Sequence, residues 1–277
     1  MVSFVILIYS VILVTKVYQF QITLSKNFTM KKLSNKIAVV TGGNSGIGFA
    51  AAKQLISEGA TVIITGRRKE AVEKAAQELG AVPFVADQAN LDDIDLLKKA
   101  IEKQFGKVDI LFVNAGITGT LTPIENMDVE NFDQVMDINF RGAYFTLSKF
   151  IPLLNEGASV IFLSSIVAST YKPNSSAYQA SKAALNSIAK TAAAELAPRK
   201  IRVNMISPGP IKTEIMNKAG LDEETLKNLS GYLIDQIPLK KMGTAEEVAK
   251  LVTYLSDNES SSYVTGTEIV IDGGMIL

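Results

Sequence analysis

Short runs of apolar, often β-branched residues alternate along the chain with longer stretches in which apolar residues recur every three or four positions. The short runs are typical of strands buried on both faces, and the longer stretches are typical of amphipathic helices. Strands that alternate with helices form a parallel sheet, because each parallel connection must cross the sheet. The apolar runs are 37–40, 61–65, 82–86, 108–114, 158–164, 201–207 and 268–272. The pattern therefore predicts an α/β fold, with one doubly wound parallel sheet of seven strands and helices on both faces.

The intervening stretches support this interpretation. Thr244 and Glu247 have the spacing of a capping box, which marks the start of a helix. No internal repeat, low-complexity tract or linker marks a second domain. A single apolar helix face is formed by Ile94, Leu97, Ile101 and Phe105.

The N-terminal residues differ from the rest, because the run 2–14 is almost continuously apolar until Lys16 interrupts it. A bilayer-spanning helix needs about 20 apolar residues, and this run is shorter. Its length suits the apolar core of a signal peptide, but no basic residue precedes it and no clear cleavage site follows. We expect residues 1–29 to be an extension outside the fold, with residues 30–277 forming the dinucleotide-binding catalytic domain. A membrane anchor is the alternative.

Composition excludes several classes of function. The 28 basic and 28 acidic residues balance, so no broad basic surface for a nucleic-acid partner is expected. The absence of Cys and His excludes disulfides, thiol nucleophiles and histidine bases. A zinc site would have to consist of carboxylates alone, so no metal is expected. A chain without Cys suits a reducing compartment, and we expect it to be cytoplasmic. Acid–base chemistry therefore falls to Tyr, Lys, Asp or Glu.

A glycine-rich turn follows the first strand and leads into a helical stretch. This order points free backbone N–H groups and the positive end of the helix dipole at a bound pyrophosphate. Gly42 permits the tight turn, Gly46 lets phosphates approach the backbone, and Gly48 allows close packing of helix and strand. An ordinary flexible turn is the alternative. The turn predicts a Rossmann-type dinucleotide site that includes Thr41, Gly42, Asn44, Ser45, Gly46, Ile47 and Gly48.

The end of the second strand bears on the cofactor. Enzymes that prefer NAD usually carry an acidic residue here to accept the ribose 2′-OH, and Gly66 cannot do so. Arg67 can form charge-assisted hydrogen bonds to the 2′-phosphate of NADP, and Arg68 can stack or assist. The sequence therefore favours NADP(H) over NAD(H). Alternatively, both arginines merely begin a solvated helix.

Candidate chemistry lies further along the chain. Tyr178 and Lys182 are four residues apart in a helix-compatible stretch, so they share a face. A nearby ammonium favours the phenolate, which predicts a Tyr178 pKa lowered from its usual value of about 10. Tyr178 could then exchange a proton with a substrate oxygen, which Ser165 could hold from the end of the fifth strand. Taken alone, a Tyr/Lys pair at this spacing usually lies on a helix surface and has no catalytic role, and a serine after a strand is usually a loop residue.

Taken together, these segments resemble the short-chain dehydrogenase/reductase family. The family's turn, Thr-Gly-x3-Gly-x-Gly, matches at 41–48, and Ser-x12-Tyr-x3-Lys matches at Ser165, Tyr178 and Lys182. The resemblance runs from about residue 36 to residue 274. It implies an oxidoreductase that transfers a hydride between NADP(H) and a carbonyl/alcohol pair, with Tyr178 as general acid/base. A catalytically idle dinucleotide-binding regulatory module is the alternative, but it would not need the three catalytic residues together.

The resemblance also assigns roles to further residues. It implies that Asn139 helps to hold a proton-relay water and that Lys182 contacts the nicotinamide ribose. It implies a homotetramer built from the helices around 127–150 and 178–197 and from the C-terminal strand. Together with Tyr178 and Lys182, the cofactor-binding residues it implies are Asp87, Gln88, Asn114, Ala115, Gly116, Pro208, Gly209, Ile211 and Thr213.

Substrate choice is expected to depend on residues 211–241, which have the pattern of a helical lid of mixed polarity. Its apolar residues either line a pocket or pack on the core, and we expect the second. A 3-oxoacyl thioester, a sugar and a simple ketone all remain as substrates. The apolar lid residues concerned are Ile215, Met216, Leu233 and Ile234.

Overall fold

The computed structural model describes residues 15–16, 31–212 and 223–277. The strands are β1 (Ile37–Val40), β2 (Thr61–Gly66), β3 (Val82–Val85), β4 (Val108–Val113), β5 (Leu154–Leu163), β6 (Arg202–Pro208), β7 (Ile211–Lys212), β8 (Gly243–Thr244) and β9 (Glu268–Ile271). Seven of them form one parallel sheet in the order β3-β2-β1-β4-β5-β6-β9. The predicted fold class is confirmed.

Helices cover both faces of this sheet, and the strands are therefore apolar on both sides. The helices are α1 (Gly46–Ser57), α2 (Lys69–Leu79), α3 (Leu91–Phe105), α4 (Val129–Met136), α5 (Ala143–Phe150), α6 (Ser176–Leu196), α7 (Glu223–Gln236), α8 (Ala245–Ser256) and α9 (Asn258–Ser261). One apolar cluster joins the sheet to α3, α5 and α6, and a second joins the opposite face to α1, α2 and α8. Val39 belongs to the first cluster and its neighbour Val40 to the second, as alternation along a strand requires.

The strand order reverses at β1, which lies between β2 and β4. The chain runs outward from β1 to β3 and then returns to β4 on the other side. The connections that leave β1 and β4 therefore diverge, and ligands of open α/β sheets bind in the crevice that this leaves at the carboxyl ends.

Two features of the strands were not predicted. β5 begins at Leu154, four residues before the apolar run that predicted it, because Leu154 pairs with Val108 ahead of a register shift. A separate two-stranded parallel sheet pairs Ile211 with Gly243 and Lys212 with Thr244. This small sheet ties the chain before α7 to the chain after it.

Some predictions fall on residues that the structure does not describe. These are the role of residues 1–29, apart from residues 15–16, and the positions of Thr213, Ile215 and Met216. Within the described ranges, no helix is both long and apolar enough to cross a membrane.

Candidate active site

A cavity of about 720 Å³ opens at the carboxyl edge of the sheet, at the point where the strand order reverses. It draws residues from the carboxyl ends of β1 to β6, from β7, and from α1, α6 and α7. The predicted site residues that line it are Gly42, Asn44, Ser45, Gly46, Ile47, Arg67, Arg68, Asp87, Gln88, Asn114, Ala115, Gly116, Ser165, Tyr178, Pro208, Gly209 and Ile211.

Four other predicted residues, Thr41, Gly48, Asn139 and Lys182, are not among those that line the cavity. They lie behind its wall, where Thr41, Asn139 and Lys182 are each less than 5% exposed. Sequence reasoning assigned no role to several residues that do line it, because nothing in their local pattern marks them. These include Thr118, Ile138, Pro210 and Met242.

The glycine-rich turn is tightly packed against α1. Gly42 and Gly46 have φ values of +64° and +54°, which favour glycine. A Cβ on Gly48 would lie 2.4 Å from the Gly42 carbonyl oxygen and 2.5 Å from the Asn114 Nδ2. Each predicted glycine of the turn therefore meets a conformational or packing demand.

The first turn of α1 is suited to bind an anion. Ser45 occupies the N-cap position, but its side chain makes no capping hydrogen bond, and the first turn contains no acidic residue. The first backbone N–H groups of a helix have no partner within the helix. The residues present therefore fit a pyrophosphate at this end of α1.

Thr41 and Asn114 hold this turn in place by joining the ends of β1 and β4. The Thr41 hydroxyl accepts hydrogen bonds from the backbone N–H groups of Asn114 and Ala115, at 3.0 Å each. The Asn114 Nδ2 donates to the carbonyl oxygens of Thr41 and Gly42, at 2.8 and 3.2 Å. Thr41 thus positions the turn from behind, and Asn114 both positions the turn and lines the cavity.

The far end of the cavity carries its charged side chains. Arg67 and Arg68 are exposed, and neither forms an ion pair with another described residue. The Asp87 carboxylate accepts a hydrogen bond from the Ala89 N–H at 3.0 Å. The cationic groups there remain available to an anionic ligand.

Gln88 ties two parts of the wall together. Its Nε2 donates to the Ala115 carbonyl oxygen at 3.1 Å and to the Ile138 carbonyl oxygen at 2.9 Å. Ile138 precedes Asn139, so this buried amide links the end of β3 to the segment that carries Asn139. Its role is at least partly to position the wall.

The opposite end of the cavity holds the predicted catalytic hydroxyls. Ser165 follows β5, and its hydroxyl accepts a hydrogen bond from the Val167 N–H at 3.3 Å. The side chain of Tyr178, in the first turn of α6, lies beside Ser165 and is close enough for the serine to influence its pKa. Lys182 lies one turn further on, with its Nζ 5.9 Å from the centre of the Tyr178 ring. The structure thus brings all three residues together.

The prediction that Lys182 lowers the pKa of Tyr178 is wrong for the chain by itself. Burial raises the pKa of Tyr178 above its usual value, and the neighbouring Ser165 side chain opposes that rise only in part. Burial also lowers the pKa of Lys182 to about 8. The Lys182 ammonium donates to the Leu163 carbonyl oxygen at 2.7 Å, so it is directed at the backbone of β5. Tyr178 therefore carries its proton at neutral pH.

Asn139 lies in a π-helical turn, Asp137–Gly142, between α4 and α5. Its Nδ2 donates to the Ile117 carbonyl oxygen at 2.7 Å and to the Ser181 hydroxyl at 3.0 Å. Its Oδ1 accepts from the Ile117 N–H at 2.8 Å, so the side chain fixes this part of the wall. A Cβ on Gly116 would lie 3.1 Å from the Asn139 Oδ1 and 3.4 Å from the Lys182 Nζ. The space between Asn139 and Lys182 is therefore open only because residue 116 is glycine.

Apolar side chains also line the cavity. Leu233 from α7 lines the cavity together with Met242, Ile117 and Leu163. We expected the apolar residues of the lid segment to pack on the core, and for Leu233 that expectation is wrong. The helical pattern identifies an apolar face but not whether the core or a cavity lies opposite it.

Comparison with known proteins identifies the family. A family model described as enoyl-(acyl carrier protein) reductase matches residues 42–276. The 3-oxoacyl-(acyl-carrier-protein) reductase of Thermotoga maritima is 36% identical over 253 residues, which cover 89% of this chain and 100% of that protein. The chain belongs to the short-chain dehydrogenase/reductase family. The predicted family is confirmed.

Other members of this short-chain dehydrogenase/reductase family are similar over nearly their whole length. The oxidoreductase asL5 of Sarocladium schorii is 39% identical over 250 residues, covering 89% of this chain and 98% of that one. The crystal structure of levodione reductase matches with a TM-score of 0.83 and 31% identity, covering 87% of this chain and 98% of that one. The chain is therefore an oxidoreductase of a family that binds NAD(P)(H).

The buried lysine of this short-chain dehydrogenase/reductase gives a prediction about stability and pH. Between pH 8 and pH 10.5 the unfolded chain retains the proton on Lys182 that the folded chain has lost, so the free energy of unfolding rises with pH. Lys182→Met lacks that rise. At about 1.4 kcal/mol per pKa unit, the stability of the wild type relative to the variant should increase by on the order of 3 kcal/mol across this window.

Urea unfolding of both proteins from pH 7 to pH 10.5 measures this change. The variant also differs from the wild type in packing and in the loss of the hydrogen bond to the Leu163 carbonyl oxygen. These differences are constant, so they do not change how the free energy of unfolding varies with pH. Lys190→Met, which removes an exposed lysine from the same helix, is the control and should follow the wild type. Parallel curves for the wild type and Lys182→Met would contradict the prediction.

Proposed function

We propose that the chain transfers a hydride between NADP(H) and a carbonyl/alcohol substrate, with Tyr178 as the general acid/base. The observation that carries the proposal is that Ser165 and Tyr178 lie side by side in the cavity that also contains the glycine-rich turn. Two hydroxyls can hold one substrate oxygen between them while one of them exchanges a proton with it. An idle dinucleotide-binding module would have no use for this pair.

Each residue of the site has its own role in the proposed reaction. When bound, the nicotinamide supplies the hydride chemistry. The Ser165 hydroxyl orients the reacting oxygen, and the Tyr178 hydroxyl, which burial keeps protonated at neutral pH, donates its proton to that oxygen during reduction. Lys182 provides the next proton-exchanging group. The polar gap beside Gly116, between Lys182 and Asn139, can connect it to solvent through a water.

The preference for NADP(H) is supported by charge at the far end of the cavity. Gly66 offers no carboxylate to the ribose 2′-OH, whereas Arg67 and Arg68 line the cavity there. A guanidinium binds a phosphate through charge-assisted hydrogen bonds, and both side chains are exposed and free to do so. We therefore propose that the 2′-phosphate is bound at Arg67, with assistance from Arg68.

A carbonyl substrate, rather than an alkene, is supported by the hydroxyl pair and by the relatives. The family model is described by an enoyl reductase, whereas the Thermotoga maritima relative is a 3-oxoacyl reductase. Hydride addition to a ketone leaves an alkoxide that takes its proton on oxygen, the atom that Ser165 and Tyr178 are arranged to hold, whereas the enolate formed from an enoyl thioester finally takes its proton on carbon. Carbonyl reduction therefore uses both hydroxyls.

We further propose a cytoplasmic homotetramer. In support of an assembly, Ile124, Val129 and Phe132 are 78%, 74% and 43% exposed, and they border an apolar groove of about 390 Å³ with Ala177 and Ala180. Contiguous apolar surface of this kind is typical of a face that packs against another chain. The lack of cysteine supports a reducing compartment.

A substrate panel with both cofactors tests the proposed function. NADPH or NADH oxidation is followed by absorbance with a 3-oxoacyl thioester, a cyclic ketone and an enoyl thioester. We expect turnover of at least one ketone and kcat/KM values for NADPH about tenfold or more above those for NADH, since one charge-assisted phosphate contact contributes about 1.4 kcal/mol or more. Turnover of the enoyl thioester alone would overturn the carbonyl assignment. Higher activity with NADH would overturn the cofactor preference.

A further inference from the structure

The segment 114–123, which follows β4, forms part of the cavity wall without being a helix or a strand. Ile117 and Thr118 from this segment line the cavity. Backbone groups outside regular structure must find their hydrogen bonds elsewhere, from side chains, other segments or water. The position of this part of the wall therefore depends on the contacts that the segment makes with the rest of the chain.

Two asparagine side chains hold this segment. The Asn139 amide bonds to the N–H and the carbonyl oxygen of Ile117, at 2.8 and 2.7 Å. The Asn131 amide bonds to Thr120 in the same manner, because its Oδ1 accepts from the N–H and its Nδ2 donates to the carbonyl oxygen, at 2.9 Å each. A carboxamide can form such a pair because it carries both a donor and an acceptor. Thr118 lies between the two residues that are held.

The Asn131 side chain is itself held in one orientation. Asn131 is 8% exposed and lies in the first turn of α4, where its backbone N–H donates to the Asp128 carboxylate at 2.7 Å. Its Nδ2 also donates to the Met127 Sδ at 3.3 Å, and a thioether sulfur is a weak acceptor. Both Nδ2 hydrogens are therefore engaged, one by the segment and one by the start of α4.

The segment lies directly against α4 next to this amide. Gly119 has a φ value of +67°, and a Cβ there would lie 2.4 Å from the Val135 Cγ2. Val135 is 1% exposed in α4, and a β-branched side chain in a helix has one strongly preferred rotamer. The backbone at Gly119 thus comes as near to the helix as a residue without a side chain allows. This close approach brings Thr120 within reach of Asn131.

The same segment runs beside the residues proposed to carry out the reaction. A Cβ on Gly116 would lie 3.4 Å from the Lys182 Nζ. Further along, the Thr122 N–H donates to the Asn174 carbonyl oxygen at 2.8 Å, and Asn174 precedes Tyr178 by only four residues. A substrate whose oxygen lies at Tyr178 therefore lies next to this part of the wall.

We propose that Asn131 is a positioning residue for the substrate: by bonding to Thr120, it fixes the part of the wall that contains Ile117 and Thr118. Asn131 is not among the residues that line the cavity, so it acts through this segment and not by touching the substrate. The inference rests on the proposed function, because it takes the substrate to lie at Tyr178. It gives α4 a part in substrate binding.

Asn131→Leu and Asn131→Asp test the proposal through the separate effects on KM and kcat. Leucine has a shape similar to that of asparagine but no donor or acceptor, and aspartate keeps the acceptor but loses both donors. With the ketone that the wild type reduces fastest, each variant should raise KM about tenfold, as loss of a hydrogen-bonded pair does. The value of kcat should change less than about threefold, because Ser165 and Tyr178 keep their places.

NADPH binding and a matched variant distinguish positioning from a general loss of structure. The NADPH dissociation constant of both variants should change less than about twofold, because Thr41 and Asn114 still hold the glycine-rich turn. Asn126→Asp, at an exposed asparagine just before α4, is the control and should keep the wild-type KM. A wild-type KM in both Asn131 variants would overturn the proposal. NADPH binding that weakens as much as KM rises would also overturn it.

Hydrogen–deuterium exchange of peptides that cover residues 117–122 tests the contact without substrate or cofactor. The Thr120 N–H is bonded to Asn131, so it should exchange about tenfold faster in Asn131→Leu, while peptides from β1 should exchange as in the wild type. Unchanged exchange at Thr120 would overturn the inference. A wild type that reduces no ketone would instead overturn the proposed function, and the exchange at Thr120 would still report on Asn131.

Discussion

Tyr178→Phe is expected to lower kcat/KM for carbonyl reduction by about 10³-fold, within the range of 10²–10⁴ typical of a positioned general acid. The substitution removes one oxygen atom and leaves the ring in place against Lys182. The raised pKa of Tyr178 keeps the phenol protonated at neutral pH, so the wild type has a proton to give and the variant does not. NADPH affinity should change little, because the ring and the rest of the cavity wall remain.

Two measurements on the same samples check this expectation. Single-turnover rates report the chemical step, and fluorescence titration reports NADPH binding. Tyr263→Phe, at a fully exposed tyrosine, is the matched control and should retain wild-type activity. If Tyr178→Phe keeps more than about a tenth of the activity, the proton comes from elsewhere. The chain offers neither histidine nor cysteine as a substitute.

Gly48→Ala is expected to damage both the fold and dinucleotide binding. The added methyl group would lie 2.4 Å from the Gly42 carbonyl oxygen and 2.5 Å from the Asn114 Nδ2, two atoms that are hydrogen-bonded to each other. Overpacking of this kind costs about 1–3 kcal/mol, so thermal unfolding should shift clearly downward. Displacement of α1 from the turn also misdirects its N–H groups. We expect NADPH to bind at least about 30-fold more weakly, equivalent to about 2 kcal/mol.

Gly231→Ala is the matched control for this substitution. Gly231 lies exposed in α7, and a Cβ there would meet nothing within 4 Å. Alanine at an exposed helical position stabilises by about 0.5–1 kcal/mol relative to glycine, so the midpoint should rise slightly. Equal effects of the two substitutions would show that the α1 turn tolerates a side chain. That result would contradict the prediction that the turn requires glycine at position 48 because Gly48 packs closely against Gly42.

Much of the architecture follows from the sequence because strands and helices carry their signals locally. Every strand of the large sheet coincides with an apolar run to within a few residues, as β1 does at Ile37–Val40. The capping box of Thr244 and Glu247 begins α8 as predicted. The glycines of the turn could be predicted as well. Gly42 and Gly46 have positive φ values, which few residues other than glycine adopt.

Contacts between residues far apart in the sequence could not be predicted in this way. The pairing of β7 with β8 joins residues that are about 30 positions apart, and two-residue strands leave no periodic signal. The same holds for Met242, which lines the cavity without any local feature that marks it. Leu233 has the spacing of a core residue, and only the packing of α7 over the cavity gives it another role.

The sequence by itself determined the fold class, the family and the spacing of Ser165, Tyr178 and Lys182, because each depends on residue types at fixed separations. The tertiary structure decided how those residues act on one another. Proximity along a helix suggested that the lysine would lower the pKa of the tyrosine. Instead, burial raises the pKa of Tyr178, and the Lys182 ammonium donates its hydrogen bond to the Leu163 carbonyl oxygen. The effect of desolvation on a pKa depends on all the residues that pack around the group, so it cannot be predicted from the spacing of two residues along one helix.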